Sequence, residues 1–174
     1  MDSLEALRAA LPEAAKDIKL NLQSVLTGQS TLNEAQRWGV ALSSAYAARE
    51  PRVVSAVLAE TSKLNNAHLI DDAKAAAVLM AMNNVYYRFV HLASNPEYGT
   101  LPAKLRMNAI ATHGIEKDDF ELFSLAVSAM NGCGMCIDSH ERILQQHGVK
   151  SETIQAAARV GAVVKAVATV HATL

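Results

Sequence analysis

The chain has 174 residues, a formal net charge of −1 and a hydrophobic fraction of 51%. This length and composition suffice for one folded domain with its own core, which excludes a disordered chain and a fold that depends on disulfide staples. Aromatic residues make up only 5% of the chain and alanine is abundant, which favours helices over strands. The near-neutral charge argues against general affinity for nucleic acid or for anionic membrane surfaces.

Helical spacing of apolar residues, together with helix start signals, predicts five helices before residue 93. They are a short helix to about Ala10 with a capping box at Asp2–Glu5, a helix from Pro12 to Gly28, a helix after a second capping box at Thr31–Glu34, a helix from Pro51, and a long helix at Ile70–Leu92. The centre of the long helix, Ala75–Met82, is apolar on all faces, which predicts burial on several sides.

Residues 93–102 hold two prolines and a glycine and are predicted to form a loop. The helices predicted after it are Leu105–Ala111, Glu116–Met130, Cys133–His147, and a last helix that Ser151 caps and that runs to about Ala172. We therefore expect an all-α protein, with residues 1–174 forming a single compact helical domain. The sequence has neither an uncharged stretch of about 18 apolar residues nor the start of a secretory signal, so we expect a cytoplasmic protein.

The two cysteines, Cys133 and Cys136, are the most informative residues of the chain. On a helix, Cys133, Cys136 and His140 fall within an arc of roughly 60°. The two cysteine Cα atoms are then on the order of 5 Å apart, within the range of a disulfide. His140 follows Cys136 by one turn, so its imidazole can reach that sulfur directly or through a water molecule.

The break at Asn131–Gly132 puts Cys133 at or near a helix N-terminus, where unpaired backbone N–H groups favour a thiolate. Glu121 lies on the preceding helix, twelve residues before Cys133. If the two helices fold back on each other, its carboxylate can orient the imidazole that activates a thiol.

Other interpretations of these residues remain open from spacing alone. A Cys-x-x-Cys pair is also half of many zinc sites, and His140 could supply a third ligand. The other histidines are scattered, at positions 68, 91, 113, 147 and 171. Met80, Met82, Met107 and Met130 lie in apolar runs and are interpreted as core residues, and Asn83–Asn84 as a hydrogen-bonded pair between helices.

A glutamate, eleven residues, and then Cys-x-x-Cys-x-x-x-His is the motif of the alkyl hydroperoxidase D (AhpD) family, which is related to the carboxymuconolactone decarboxylase group. Glu121, Cys133, Cys136 and His140 match every spacing of that motif. The segments at residues 11–20, 82–88 and 105–108 also resemble AhpD sequences, so the resemblance runs along nearly the whole chain.

This resemblance implies an all-α AhpD-like fold, often a homotrimer, with the redox segment at about residues 116–148. It implies an antioxidant enzyme that reduces organic hydroperoxides by a Cys-x-x-Cys disulfide cycle. It implies no bound cofactor or metal. Electrons are expected from a dihydrolipoyl group on a partner protein, or from another dithiol, and the peroxiredoxin AhpC is the expected partner. A decarboxylase of the related group is less favoured, because that chemistry does not explain a cysteine pair.

By the same resemblance, Cys136 is the peroxidatic cysteine that becomes a sulfenic acid, and Cys133 is the resolving cysteine and proton donor. His140 and Glu121 are the proton-relay pair. Met135 stands where some relatives carry a further histidine. Two functions therefore stand as alternatives to a hydroperoxide reductase: a thiol–disulfide electron carrier without significant peroxidase activity, and a zinc-binding interaction module.

Overall fold

A computed structural model describes residues 3–173, and every regular element in that range is helical. The α-helices are α1 (Ser3–Ala9), α2 (Lys16–Thr27), α3 (Glu34–Ala48), α4 (Pro51–Ser62), α5 (Ala67–Leu92), α6 (Lys117–Met130), α7 (Gly134–Gln146) and α8 (Ser151–His171). Short 3₁₀ turns lie at Glu13–Ala15, Pro96–Gly99 and Asn108–Ile110. The predicted all-α class is confirmed, and the predicted helices at Pro51, after residue 116 and after Cys133 are present.

Helices α3, α6 and α8 pack against one another at the centre, and α5 and α7 pack on α6 from outside. An unbroken stretch of α6, Phe120–Ser128, is buried on all faces, as is Trp38–Ala45 of α3. Because a helix that is buried all round needs neighbours on every side, α6 is a rigid central element of the core. The active-site carboxylate candidate Glu121 lies on this element.

The helix starts differ from the prediction in detail. The capping box of α3 is formed by Asn33 and Gln36, whose side chains each accept a hydrogen bond from the other's backbone N–H. The prediction of Thr31–Glu34 was wrong because asparagine is at least as good an N-cap as threonine and lies directly before the helix. Ser151 is the first residue of α8 rather than its cap, and Asp2 lies outside the described residues.

Helix α5 is less enclosed than its sequence predicts. Ala76, Ala77 and Met80 are buried, but Val78 and Val85 are 63% and 62% exposed. The predicted burial of Ala75–Met82 on several sides is therefore met only in part, because α3, α6 and α7 pack against this helix but leave the face of Val78 open.

The predicted helix at Leu105–Ala111 is reduced to the 3₁₀ turn Asn108–Ile110. Lys104 has a positive φ of 51°, and the segment has no buried face along which a helix could be stabilised by packing. Its far end is tied to α5, because the backbone N–H groups of Gly114 and Ile115 both donate to Asp72 Oδ2. This loop lies across one side of the cysteine site.

By length and composition, α8 is the one helix among residues 3–173 that could span a membrane. It packs against α2, α3 and α6. Its apolar side chains Val160, Val164 and Val167 are at most 2% exposed, so they contribute to the core.

Candidate active site

The turn between α6 and α7 sets the position of the cysteine pair. Gly132 has a φ of +67°, a left-handed conformation that favours glycine, and it lets the chain reverse after Asn131. Cys133 is then the N-cap of α7, and its Sγ accepts the backbone N–H of Cys136 at 3.3 Å. The prediction that Cys133 lies at a helix N-terminus is confirmed.

Cys133 and Cys136 form a disulfide, with their Cα atoms 5.3 Å apart. This agrees with the separation expected for two residues one turn apart at a helix start. Neither cysteine is free, so the structure corresponds to the oxidised form of the pair.

Glu121 and His140 meet between α6 and α7. Oε2 of Glu121 lies 2.6 Å from Nδ1 of His140, and the two side chains are only 4% and 12% exposed. An ionised carboxylate only accepts hydrogen bonds, so Nδ1 carries the hydrogen of this bond. The expected contact between Glu121 and His140 is present, because the turn at Gly132 folds α7 back along α6.

The second nitrogen of the imidazole faces a methionine sulfur. His140 Nε2 lies 3.4 Å from Sδ of Met80 on α5. A disulfide sulfur has no proton, so in the oxidised form Cys136 cannot donate a hydrogen bond to Nε2 of His140. Met80 therefore packs against the Nε2 edge of the ring, while the hydrogen bond with Glu121 holds the Nδ1 edge.

A cavity of about 340 Å³ opens beside the disulfide. Its walls are Met80, Asn83, Tyr87, Met107, Ile110, Glu121, Met135, Cys136, Ser139, His140 and Ile143. Cys136 faces this cavity and is 6% exposed, whereas Cys133 is completely buried and does not line it. A small molecule in the cavity therefore meets the sulfur of Cys136 first.

The asparagines of α5 have separate roles. Asn84 Nδ2 donates to Ser128 Oγ on α6 at 2.9 Å, and its Oδ1 accepts from Asn131 Nδ2 at 2.9 Å. Arg88 Nη1 also donates to the Asn131 carbonyl at 2.6 Å. The interpretation of Asn84 as a hydrogen-bonding link between helices is confirmed, and its link fixes the turn before Cys133.

Several cavity residues were missed from the sequence. Met80 and Met107 were interpreted as core residues; this is confirmed for Met80, which is only 1% exposed, but both side chains also line the cavity. Tyr87 and Ile110 also line it and carried no signal of their own. These residues come from α5 and from the loop before α6, and only the tertiary fold brings them to the cysteines.

Of the remaining histidines, His91 lines a second pocket that shares Met135 and Ser139 with the cavity. His147 Nδ1 pairs with Asp118 Oδ1 at 2.5 Å, and His171 is buried against Leu7. Among residues 3–173, no three His, Cys, Asp or Glu side chains are grouped so that they could hold a metal ion.

Comparison with known proteins shows which family this chain is similar to. Residues 96–174 match the carboxymuconolactone decarboxylase family. The chain is 61% identical to a protein of Rhizorhabdus wittichii and 54% identical to one of Maricaulis maris, in each case over 98% of both chains. A Streptomyces griseus protein is 53% identical over 95% of this chain and 93% of its own length. All three relatives are named alkyl hydroperoxide reductase AhpD.

Proposed function

We propose a thiol–disulfide reaction cycle of Cys133 and Cys136 for this chain, which belongs to the alkyl hydroperoxide reductase AhpD family. The chain acts as an oxidoreductase on alkyl hydroperoxides, and the disulfide Cys133–Cys136 is the oxidised form of its redox centre. The single observation that carries this proposal is that the sulfur of Cys136 faces a cavity whose wall also holds the hydrogen-bonded pair Glu121–His140.

In the reduced enzyme, the Cys136 thiolate attacks the terminal oxygen of the hydroperoxide. The O–O bond breaks, Cys136 becomes a sulfenic acid, and the alkoxide takes up a proton and leaves as the alcohol. Cys133 supplies that proton. Its thiolate then attacks the Cys136 sulfur, so that the disulfide forms and the hydroxide of the sulfenic acid leaves as water after protonation.

The assignment of Cys136 as the peroxidatic residue rests on access. Helix-end electrostatics favour the thiolate at Cys133, because Cys133 is the N-cap and accepts the N–H of Cys136. However, Cys133 is completely buried and Cys136 is the cysteine on the cavity wall. A nucleophile must reach its substrate, so access decides in favour of Cys136.

Glu121 and His140 serve as the proton relay. Glu121 fixes the hydrogen on Nδ1 of His140, so in the neutral ring Nε2 is the free base. After reduction of the disulfide, Nε2 can take the proton of Cys136 in place of its contact with Met80. The same proton is then available for the water that leaves in the second step.

A dithiol returns the enzyme to its reduced form by thiol–disulfide exchange. We propose a dihydrolipoyl group of a partner protein as this donor, since a long, thin and mostly apolar arm suits a cavity that leads to a nearly buried sulfur. The proposed acceptor of electrons from this chain, apart from the hydroperoxide itself, is a peroxiredoxin of the AhpC type. No bound cofactor or metal takes part, and the proposed location is the cytoplasm.

The exposed side of α5 supports a homo-oligomer, proposed as a trimer. Val78, Val85, Phe89 and Leu92 are at least half exposed and follow one another along this helix. Contiguous apolar surface of this kind is rare on a monomer. Val85→Glu is expected to lower the mass measured by light scattering, and an unchanged oligomer would argue against this face.

A thiol–disulfide electron carrier without its own peroxidase activity is the second candidate. It is favoured by Met135, which is 37% exposed at the cavity rim where some relatives have a histidine.

The deciding experiment is steady-state reduction of an organic hydroperoxide with dihydrolipoamide as the electron source. We expect turnover by the wild-type chain and none by a Cys133→Ser, Cys136→Ser double variant. Turnover that appears only after a peroxiredoxin is added would instead identify the chain as an electron carrier.

A further inference from the structure

Asn83 is a buried polar residue on the wall of the active-site cavity. It is only 4% exposed, and its side-chain oxygen has no hydrogen-bond partner within residues 3–173. The other buried polar atoms without a partner belong to Arg37, Ser44, Ser124 and His171, and none of these residues lines this cavity.

The neighbouring Asn84 provides the comparison. It is equally buried and lies on the same helix, but its carboxamide binds Ser128 and Asn131 through both of its polar atoms. A buried amide without a partner destabilises a folded protein, and most buried polar groups are paired for that reason. The unpaired side-chain oxygen of Asn83 therefore indicates a hydrogen-bond partner that is not part of the chain.

We propose that Asn83 binds the hydroperoxide group of the substrate, an inference that rests on the proposed function. The backbone carbonyl oxygen of Asn83 lies 3.9 Å from Sγ of Cys136, so this residue is adjacent to the attacking atom. A hydroperoxide group has one O–H donor and two acceptor oxygens. A carboxamide is its complement, because its oxygen accepts the O–H while its N–H₂ donates to an oxygen of the substrate.

The rest of the cavity indicates the organic part of the substrate. Around Asn83 and Cys136 the walls are mainly apolar, with Tyr87, Met107 and Ile143 among them. The substrate class that fits is therefore a hydroperoxide on a bulky alkyl or aryl group, and hydrogen peroxide lacks the part that these walls contact.

The same contact assists the chemistry. When Cys136 attacks the terminal oxygen, the electron pair of the O–O bond passes to the inner oxygen, which leaves as an alkoxide. An N–H of Asn83 that donates to this inner oxygen stabilises the developing negative charge until the proton arrives. Asn83 then acts on the oxidative half-reaction and has no part in the reduction of the disulfide by a dithiol.

Asn83→Leu tests this inference, because leucine keeps the volume and removes both hydrogen-bonding groups. We expect kcat/KM for cumene hydroperoxide to fall roughly 10-fold or more, with an unchanged rate of disulfide reduction by dithiothreitol. Because the variant also removes a buried side-chain oxygen that has no partner, its Tm is expected to equal or exceed that of the wild type. Asn84→Leu is the matched control and is expected to lower Tm by several degrees.

Three results would overturn the inference. They are an unchanged kcat/KM for the hydroperoxide, an equal loss in both half-reactions, and a Tm that falls as far as in Asn84→Leu, which would reveal a structural role. Wild-type protein that does not react with any organic hydroperoxide would instead contradict the proposed function, so the two failures are distinguishable.

Discussion

The imidazole of His140 is hydrogen-bonded through Nδ1 to the Glu121 carboxylate at 2.6 Å, and its Nε2 edge packs against the Met80 thioether at 3.4 Å. Glu121 belongs to the buried helix α6, and His140 to the amphipathic helix α7 that starts at the cysteines. The contact with Glu121 therefore joins the core of the protein to the redox helix. It fixes the ring beside the cavity that Cys136 also lines.

Glu121→Gln is expected to lower the rate of reaction with an organic hydroperoxide by about 10²-fold. Glutamine retains an oxygen that can accept the Nδ1 hydrogen, but it loses the negative charge that supports a protonated ring. Stopped-flow measurement of thiol loss checks this prediction. Glu141→Gln is the control and is expected to react normally, because Glu141 follows His140 on α7 and its partly exposed carboxylate accepts a hydrogen bond from Gln145 Nε2.

Cys133→Ser is expected to leave a sulfenic acid on Cys136 after one equivalent of hydroperoxide, since the resolving thiol is absent. Cys136→Ser is expected to form no sulfenic acid at the native rate, because Cys133 is buried. Intact-mass analysis with a dimedone trap measures both. If Cys133 is oxidised rapidly in Cys136→Ser, the two roles are reversed.

Gly39→Ala is expected to destabilise the fold by about 1–3 kcal/mol through overpacking. A Cβ at position 39 of α3 would lie 2.0 Å from Cζ of Phe123, whose ring is completely buried in α6. Urea denaturation measures the change in the free energy of unfolding. Gly99→Ala, where a Cβ meets no atom within 4 Å, is the control, and equal losses in both variants would refute the packing argument.

The difference in the free energy of unfolding between Asp119→Asn and the wild type is expected to shift in favour of the variant as the pH rises. Burial, and to a lesser degree the charges of Glu116 and Asp118, raises the pKa of the Asp119 carboxyl above its ordinary value, although the hydrogen bond from Gln36 opposes this. A carboxyl with a raised pKa binds more protons in the folded than in the unfolded state, so it destabilises the fold increasingly above the ordinary aspartate pKa of about 3.9.

Asparagine does not titrate, and its oxygen can still accept the bond from Gln36. The difference in Tm between Asp119→Asn and wild type should therefore be more positive at pH 7 than at pH 3.5. Thermal denaturation at both pH values checks this prediction. A difference that is flat or that declines with pH contradicts it.

Local signals were sufficient to predict α6, α7 and the turn between them. The acidic first turn of α6, the Asn131–Gly132 break and the apolar spacing all depend on neighbours in sequence. The pairing of Glu121 with His140 could be expected from the motif. Its distance could not, because it depends on how the turn at Gly132 directs α7 back along α6.

The cavity could not be predicted for the same reason. Met80 and Met107 have the sequence context of core residues, and only the fold brings them to the wall of the cavity beside Cys136. Asn83 and Asn84 look alike in sequence, and only the structure distinguishes a hydrogen-bonding link between helices from an unpaired amide. Likewise, the exposed face of α5 reflects where its neighbours end.

The central claim is that Cys136 and Cys133 form one peroxide-driven disulfide cycle. The most direct test is a free-thiol count with intact-mass analysis on fully reduced, chelator-treated protein, before and after one equivalent of an organic hydroperoxide. We predict that both thiols are lost together, that the chain loses two hydrogen atoms, and that dihydrolipoamide restores both thiols. Persistence of both thiols would contradict the account.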